Sequence, residues 1–186
     1  MNVMKKIALL FILLAAFVCP ASFAQTTTSG SGTTTSSTTD TVTLNFITNA
    51  TVANMKEVAT GKLAQSKGKD PSVKAYGNKM VDYHTMATKQ MMQIVKAKKI
   101  DVPKPPAAMA APDSMLANST GDAFDKMYIT MMIMDHKNSI ALFEKASASL
   151  TDTELKAFAV KTLPLLRQHL AEIQGIASKK NISSTR

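Results

Sequence analysis

Cysteine is almost absent from this chain, with Cys19 the single one among 186 residues. It lies directly after an apolar run over residues 7 to 18, which follows a basic start and precedes the tripeptide Ser22-Phe23-Ala24. That order is typical of a secretory signal peptide, which we predict over residues 1–24. Cleavage after Ala24 leaves a mature chain without cysteine, and this excludes disulfides and thiol chemistry.

Long hydrophobic runs are absent beyond the leader. The leader's own run is too short for a membrane anchor, because a helix needs about 20 apolar residues to cross a bilayer. A lipid anchor on Cys19 would favour a small residue before it, and Val18 stands there. The sequence therefore predicts an exported protein of the periplasm or cell envelope, with no transmembrane helix in the mature chain.

Acidic residues are few, at 13 against 22 basic ones. Removing the leader takes Lys5 and Lys6 away, which leaves 20 basic residues and a net charge of +7. The lysines are scattered without interleaved aromatics, and nucleic acid is not an expected partner outside the cytoplasm, so a nucleic-acid-binding function is disfavoured. An anionic surface of the cell envelope is the partner that the charge favours, and a merely solvated basic surface is the alternative.

Apolar side chains are missing altogether from residues 26 to 39, which are only Thr, Ser and Gly. A segment with nothing to bury cannot offset the entropy of ordering. We therefore predict a disordered tether over residues 25–41, a folded domain over residues 42–180 and a short C-terminal tail over residues 181–186.

Alternating strand patterns are also absent, while apolar residues recur at spacings of three and four. This period predicts an all-α domain of four long helices, over residues 42–67, 72–98, 121–149 and 152–179. On the first helix the stripe is made of mostly small residues, which predicts a close helix approach and turns Glu57 inward; it comprises Phe46, Ala50, Ala53, Glu57, Gly61 and Ala64. On the fourth helix it comprises Leu155, Phe158, Thr162, Leu165, His169, Ile173 and Ile176.

The connections between these helices differ in length. Those near residues 68–71 and 150–151 are short and predict two antiparallel helical hairpins. Residues 99–120 form a long connection that contains Pro103, Pro105, Pro106 and Pro112. Such a connection can run the height of a bundle and leave helices two and three parallel. The prediction is a single four-helix bundle with one long Pro-rich crossover.

The chain has three histidines, and each lies near the middle of a different predicted helix: His84, His136 and His169. Glu57 has the corresponding place on the first helix, so all four side chains are predicted at one height. Three imidazoles and a carboxylate suit a single zinc, copper or iron ion. The alternative is a set of core histidines satisfied by backbone, threonine or water, with Glu57 bonded to one of them.

Di-iron chemistry is disfavoured by a further absence. It needs a carboxylate three residues before a histidine on two helices, and those positions hold Val81, Ile133 and Leu166. Methionine is abundant on the second and third predicted helices, where thioethers together with imidazole would suit Cu(I). Flexible core filling is the favoured interpretation of these methionines.

Several residues spread over all four helices resemble a known family. They are Phe46, Glu57, Gly61, Leu63, Ala64, Val73, Met80, Asp82, His84, Phe124, Tyr128, His136, Leu163, Pro164 and His169. The chain resembles, over about residues 44–178, the secreted bacterial ferritin-like proteins of unknown function that are labelled "predicted outer membrane protein". The resemblance implies an exported, ferritin-like four-helix bundle without an established activity. The family more often has the aspartate and the histidine adjacent, and the chain departs from this pattern because Tyr83 separates Asp82 from His84.

Three functional hypotheses follow. The first is a non-enzymatic exported bundle that binds a metal ion through its core histidines. The second is a structural or interaction module at the cell envelope that holds no metal. The third, a metal-dependent enzyme, is the least favoured, because the sequence identifies no general base beside an open metal position.

Overall fold

The computed structural model describes residues 40–182, and within them it contains α-helices and one 3-10 turn but no strand. The predictions of a leader and of the tether up to residue 39 lie outside the described residues. The helices are α1 (Thr41–Lys67), α2 (Pro71–Ala97), α3 (Ser114–Asn118), α4 (Gly121–Ser149) and α5 (Thr153–Lys179), with the 3-10 turn at Ala107–Ala110. The prediction of an all-α domain with four long helices is confirmed.

The topology follows from contacts at the two ends of the bundle. At one end, Lys98 after α2 pairs with Asp152 before α5 at 2.9 Å. At the other, Lys180 after α5 pairs with Asp70 before α2 at 2.7 Å, and Lys69 pairs with Asp122 at the start of α4 at 2.6 Å. The helices α2 and α4 therefore run parallel, and the crossover spans the bundle height of about 40 Å. The predicted four-helix bundle with one long crossover is confirmed.

Aspartates begin three of the long helices. The carboxylates of Asp40, Asp70 and Asp152 accept a backbone N–H from the first turn of α1, α2 and α5 respectively. These bonds satisfy amides that have no partner within the helix. They also fix where each helix starts, and hence the height at which its middle residues lie.

Two apolar clusters fill the two halves of the bundle. One contains aromatic residues of three helices, Phe46, Phe143 and Phe158, together with Leu155. The other contains Tyr76, Phe124 and Tyr128, together with Leu116 and Ile173. The middle of the bundle, between these clusters, is occupied by buried polar residues.

The helices α1 and α2 approach closely beside this middle layer. A Cβ atom on Gly61 would lie 2.8 Å from the carbonyl oxygen of Gly77, and one on Gly77 would lie 2.7 Å from Cβ of Ala64. Larger residues here would force the helices apart. The predicted stripe of small residues is thus a contact surface, although Ala53 is only half-buried and Asn54 is buried instead.

The prediction that Leu165 lies on the inward stripe of α5 is wrong. Its side chain is 38 % exposed, while Leu163 and Leu166 are buried. The buried face of α5 is centred on Thr162, Leu166 and His169, and Leu165 lies at its edge. Apolar spacings of three and four residues do not fix how α5 is rotated toward the core, because each residue turns the helix by about 100°.

The crossover is anchored on the bundle. Asp113 caps α3 by accepting the amides of Met115 and Leu116, and Leu116 is fully buried in the cluster around Tyr76. The prolines exclude one continuous helix, yet the segment packs against the core. No helix among residues 40–182 is long and apolar enough to cross a membrane.

Leu116→Ala is expected to destabilise the protein by about 3 kcal/mol, because it removes a buried side chain and leaves a cavity. The neighbouring Met115 is 70 % exposed, and Met115→Ala should change the free energy of unfolding by at most about 0.5 kcal/mol. Urea denaturation measures the free energy of unfolding of both variants. Equal effects would mean that the crossover does not pack as described.

Candidate metal centre

Each of the four long helices contributes one side chain to the middle of the bundle. These are Glu57 from α1, His84 from α2, His136 from α4 and His169 from α5, and none of them is more than 2 % exposed. All four residues that the sequence singled out therefore lie together. The centre is enclosed by the two apolar clusters.

The donor atoms of these residues converge. One ring nitrogen of each of the three histidines lies within 4.8 Å of those of the other two. The Glu57 Oε2 atom lies 2.8 Å from Nε2 of His84 and 3.6 Å from Nε2 of His136. The three histidine nitrogens thus form one group, and a carboxylate oxygen of Glu57 lies beside two of them.

Two histidines are oriented by hydrogen bonds on their outer side. Nδ1 of His84 lies 2.8 Å from Oδ1 of Asn54, and Nδ1 of His136 lies 2.9 Å from the carbonyl oxygen of Met132. Both partners are acceptors, so Nδ1 carries the proton in each ring. The Nε2 lone pairs then face inward, which is how a second hydrogen bond orients a metal-binding histidine.

The inward atoms lack hydrogen-bond partners. Both carboxylate oxygens of Glu57, Nε2 of His84 and Nδ1 of His169 are buried without one. Although Glu57 and His84 are 2.8 Å apart, they are not aligned as a hydrogen bond, and with Nδ1 of His84 protonated both facing atoms are acceptors. Buried polar atoms are rarely left unpaired. A cation between them would satisfy all of them at once.

Tyrosines enclose the centre on two sides. The Tyr76 hydroxyl donates to the carbonyl oxygen of His169 at 3.2 Å and lies 3.5 Å from Nε2 of His136. The ring of Tyr83 packs edge-on against His169, with the centroids 4.5 Å apart. Burial raises the pKa of Tyr76, and it raises the pKa of Tyr83 to about 12, so both phenols are neutral at pH 7.

The charges at the centre follow from opposing effects. Burial alone would raise the pKa of Glu57, but the positive charge that the neighbouring histidines, chiefly His84, carry when protonated outweighs it, and the pKa lies below its usual value of 4.5. Burial, the neighbouring histidines and Lys79 together lower the pKa of His169 to about 3. At pH 7 the centre thus presents a carboxylate and a neutral His169, the states that bind metal ions.

The metal-free protein is expected to lose stability as the pH falls below 6.5, because unfolded His169 binds a proton there whereas folded His169 does so only near pH 3. The lowered pKa of Glu57 adds a loss below pH 4.5. Urea denaturation with a chelator present should show a shallower decline between pH 6.5 and 4.5 for His169→Gln. Identical slopes in variant and wild type would contradict this assignment.

Other acidic and methionine side chains near the histidines in sequence lie outside the centre. Asp82 is exposed, and Asp135 is half-buried, with its carboxylate 3.2 Å from the Lys56 ammonium group. Met80 and Met132 are buried in one apolar cluster and Met91 in the other, consistent with core filling. Sequence reasoning missed Asn54 and Tyr76. Asn54 lies three residues before Glu57 on the same face of α1, which was a usable signal.

The comparisons with known proteins agree with this fold. A family model described as a domain of unknown function, DUF4142, matches residues 26–176. The chain belongs to the DUF4142 family. The expected family of unknown function is therefore found, whereas the outer-membrane label that the resemblance implied stays a prediction.

A solved structure shares the fold of this DUF4142 protein. It is the crystal structure of a DUF305 protein from Streptomyces coelicolor, described as secreted. The TM-score is 0.65 at 12 % sequence identity, and the match covers 76 % of this chain and 94 % of the other. At this identity the likeness shows the fold alone. No curated protein matches the DUF4142 chain significantly.

Proposed function

We propose that this exported protein binds one transition-metal ion between its four long helices, through His84, His136, His169 and Glu57. The observation that carries the proposal is the set of unpaired acceptors around one buried point. Two imidazole lone pairs, oriented from outside by Asn54 and the Met132 carbonyl, face a carboxylate that has no hydrogen-bond partner. A metal ion supplies the positive charge that these acceptors lack.

The spacing of the donors supports this proposal. With metal to nitrogen bonds of about 2.0 to 2.1 Å, the donors of a tetrahedral site are about 3.3 Å apart. The separations here are 2.8 Å between Glu57 and His84 and at most 4.8 Å among the three histidines. Small side-chain movements would bring these donor atoms within bonding distance of one ion.

The donor types indicate which ions are candidates. Three imidazoles and one carboxylate, without any thiolate, suit zinc, copper(II) or iron(II). The carboxylates that a di-iron centre would need are absent, because Val81, Ile133 and Leu166 hold the required positions. We therefore propose a single-ion site, with a non-enzymatic role in holding the metal in the periplasm or at the cell envelope.

Imidazole NMR tests this proposal without ambiguity, because the chain contains three histidines in all. Adding Zn(II) to protein labelled with ¹⁵N at histidine should shift the signals of all three rings together and saturate at one equivalent. Shifts confined to one ring, or shifts that continue beyond one equivalent, would mean adventitious binding.

The competing function is an interaction module whose basic surface meets an anionic envelope. It is favoured by the excess of 20 basic over 13 acidic residues that remains without the predicted leader. Under that hypothesis the central residues form a buried ion pair of His84 with Glu57, and metal has no effect. Unchanged histidine signals on addition of Zn(II), Cu(II) and Fe(II), together with binding to anionic vesicles, would favour the module.

A further inference from the structure

The third histidine of the centre differs from the other two in what surrounds its ring. Nδ1 of His84 donates to the Asn54 side chain, and Nδ1 of His136 donates to the carbonyl oxygen of Met132. Nδ1 of His169 is buried without a hydrogen-bond partner, and no hydrogen bond joins its ring to any other residue that the structure describes. Hydrogen bonding therefore leaves the orientation of the His169 ring open.

The closest aromatic neighbour of His169 is Tyr83. Its ring stands edge-on to the imidazole, with the centroids 4.5 Å apart and the planes at 88°. The rings of His136 and His84 are farther away, at 5.6 and 6.0 Å. Perpendicular aromatic rings attract each other beyond the effect of the area that they bury. Because Tyr83 lies on α2 and His169 on α5, this contact is a product of the fold.

Tyr83 is itself held by the core. Its side chain is half-buried and packs against the apolar cluster that contains Phe46 and Phe143. Its ring also lies edge-on to that of His84, with the centroids 5.1 Å apart. A side chain that the core holds in this way can fix the orientation of the ring beside it.

We propose that Tyr83 is a positioning residue of the metal centre, which holds the imidazole of His169 for metal binding through contact between the two rings. This inference rests on the proposed function. The outer partners of metal-binding histidines are usually hydrogen-bond acceptors, and losing one typically weakens metal binding by about 10 to 100-fold. At His169 the aromatic ring of Tyr83 takes the place of such an acceptor, and the hydroxyl group is not required.

Competition with a chromophoric chelator measures the Zn(II) affinity of the folded protein. Tyr83→Ala should weaken Zn(II) binding by about tenfold, whereas Tyr83→Phe keeps the ring and should bind like wild type. Leu155→Ala is the control for lost stability. Leu155 is fully buried in the same apolar cluster, but it lies about 21 Å along α5 from His169. This variant should be less stable and yet keep the wild-type affinity.

Relaxation of the histidine ring ¹³C signals in the metal-free protein gives a second readout, which a general loss of stability does not move. In Tyr83→Ala the ring of His169 should become mobile on the picosecond to nanosecond timescale, while that of His136 should stay as rigid as in wild type.

Tyr83→Leu removes the ring with less loss of volume, and it takes the place of Tyr83→Ala should that variant fail to fold. Wild-type Zn(II) affinity in the folded variant without the ring would overturn the inference, as would an equal loss of affinity in Tyr83→Phe. Failure of the wild-type protein to bind Zn(II) would instead refute the metal site on which the inference depends.

Discussion

Zn(II) at about 1,000 times its dissociation constant is expected to raise the melting temperature of the wild-type protein by about 8 to 16 °C. Binding to the folded state at that concentration adds about 4 kcal/mol of stability, and a domain of this size gains about 2 to 4 °C for each kcal/mol. The shift should vanish below about pH 6, because protonated imidazoles do not bind metal. Differential scanning calorimetry measures it.

His136→Gln should lose most of this shift, since it removes one of the inward-facing lone pairs while preserving side-chain size. Met134→Ala serves as the control on the same helix, because Met134 is 54 % exposed and points away from the centre. Its shift should equal that of wild type. A full shift in His136→Gln would place the bound metal elsewhere.

Asp125→Ala is expected to destabilise the protein by about 4 kcal/mol. Asp125 is fully buried, and its carboxylate accepts the backbone amides of Lys69 at 3.0 Å and of Asp70 at 2.9 Å. It thereby holds the link between α1 and α2 onto α4. Removal eliminates two hydrogen bonds to a charged group, each of which contributes about 1.5 to 3 kcal/mol. Urea denaturation measures this change in the free energy of unfolding.

Asp122→Ala is the matched control for Asp125. Asp122 also lies at the start of α4 and pairs with Lys69, but both of these side chains are largely exposed. Surface ion pairs contribute little, so this variant should remain close to wild type. A similar loss in both variants would mean that the charge at the start of α4 matters, rather than the hydrogen bonds to the link.

The helices were predictable because their signals are local. Apolar residues at spacings of three and four, Pro71 at the start of α2 and short links at residues 68–71 and 150–151 define the four long helices without tertiary information. The same local signals place Glu57, His84, His136 and His169 near the helix midpoints. Nearly equal helix lengths of 27 to 29 residues then bring the four residues to one height, whatever the order of the helices.

The contacts that orient the centre depend on helix rotation, which periodicity alone does not fix to within one residue. Rotating α1 by one residue places Asn54 instead of Ala53 on its buried face. The side chain of Asn54 orients the ring of His84. The packing of Leu116 and the burial of Asp125 depend on where the crossover and the link return to the bundle. Neither position follows from local periodicity, because both are set by contacts between distant parts of the chain.

The central claim is tested most directly by the metal content of the protein after equilibrium dialysis. Wild type dialysed against Zn(II), Cu(II) or Fe(II), followed by removal of weakly bound ions, should retain one ion per chain of at least one of these metals. His84→Gln, His136→Gln and His169→Gln should each retain much less. Wild type that retains no more of any of these metals than the three variants would contradict the account.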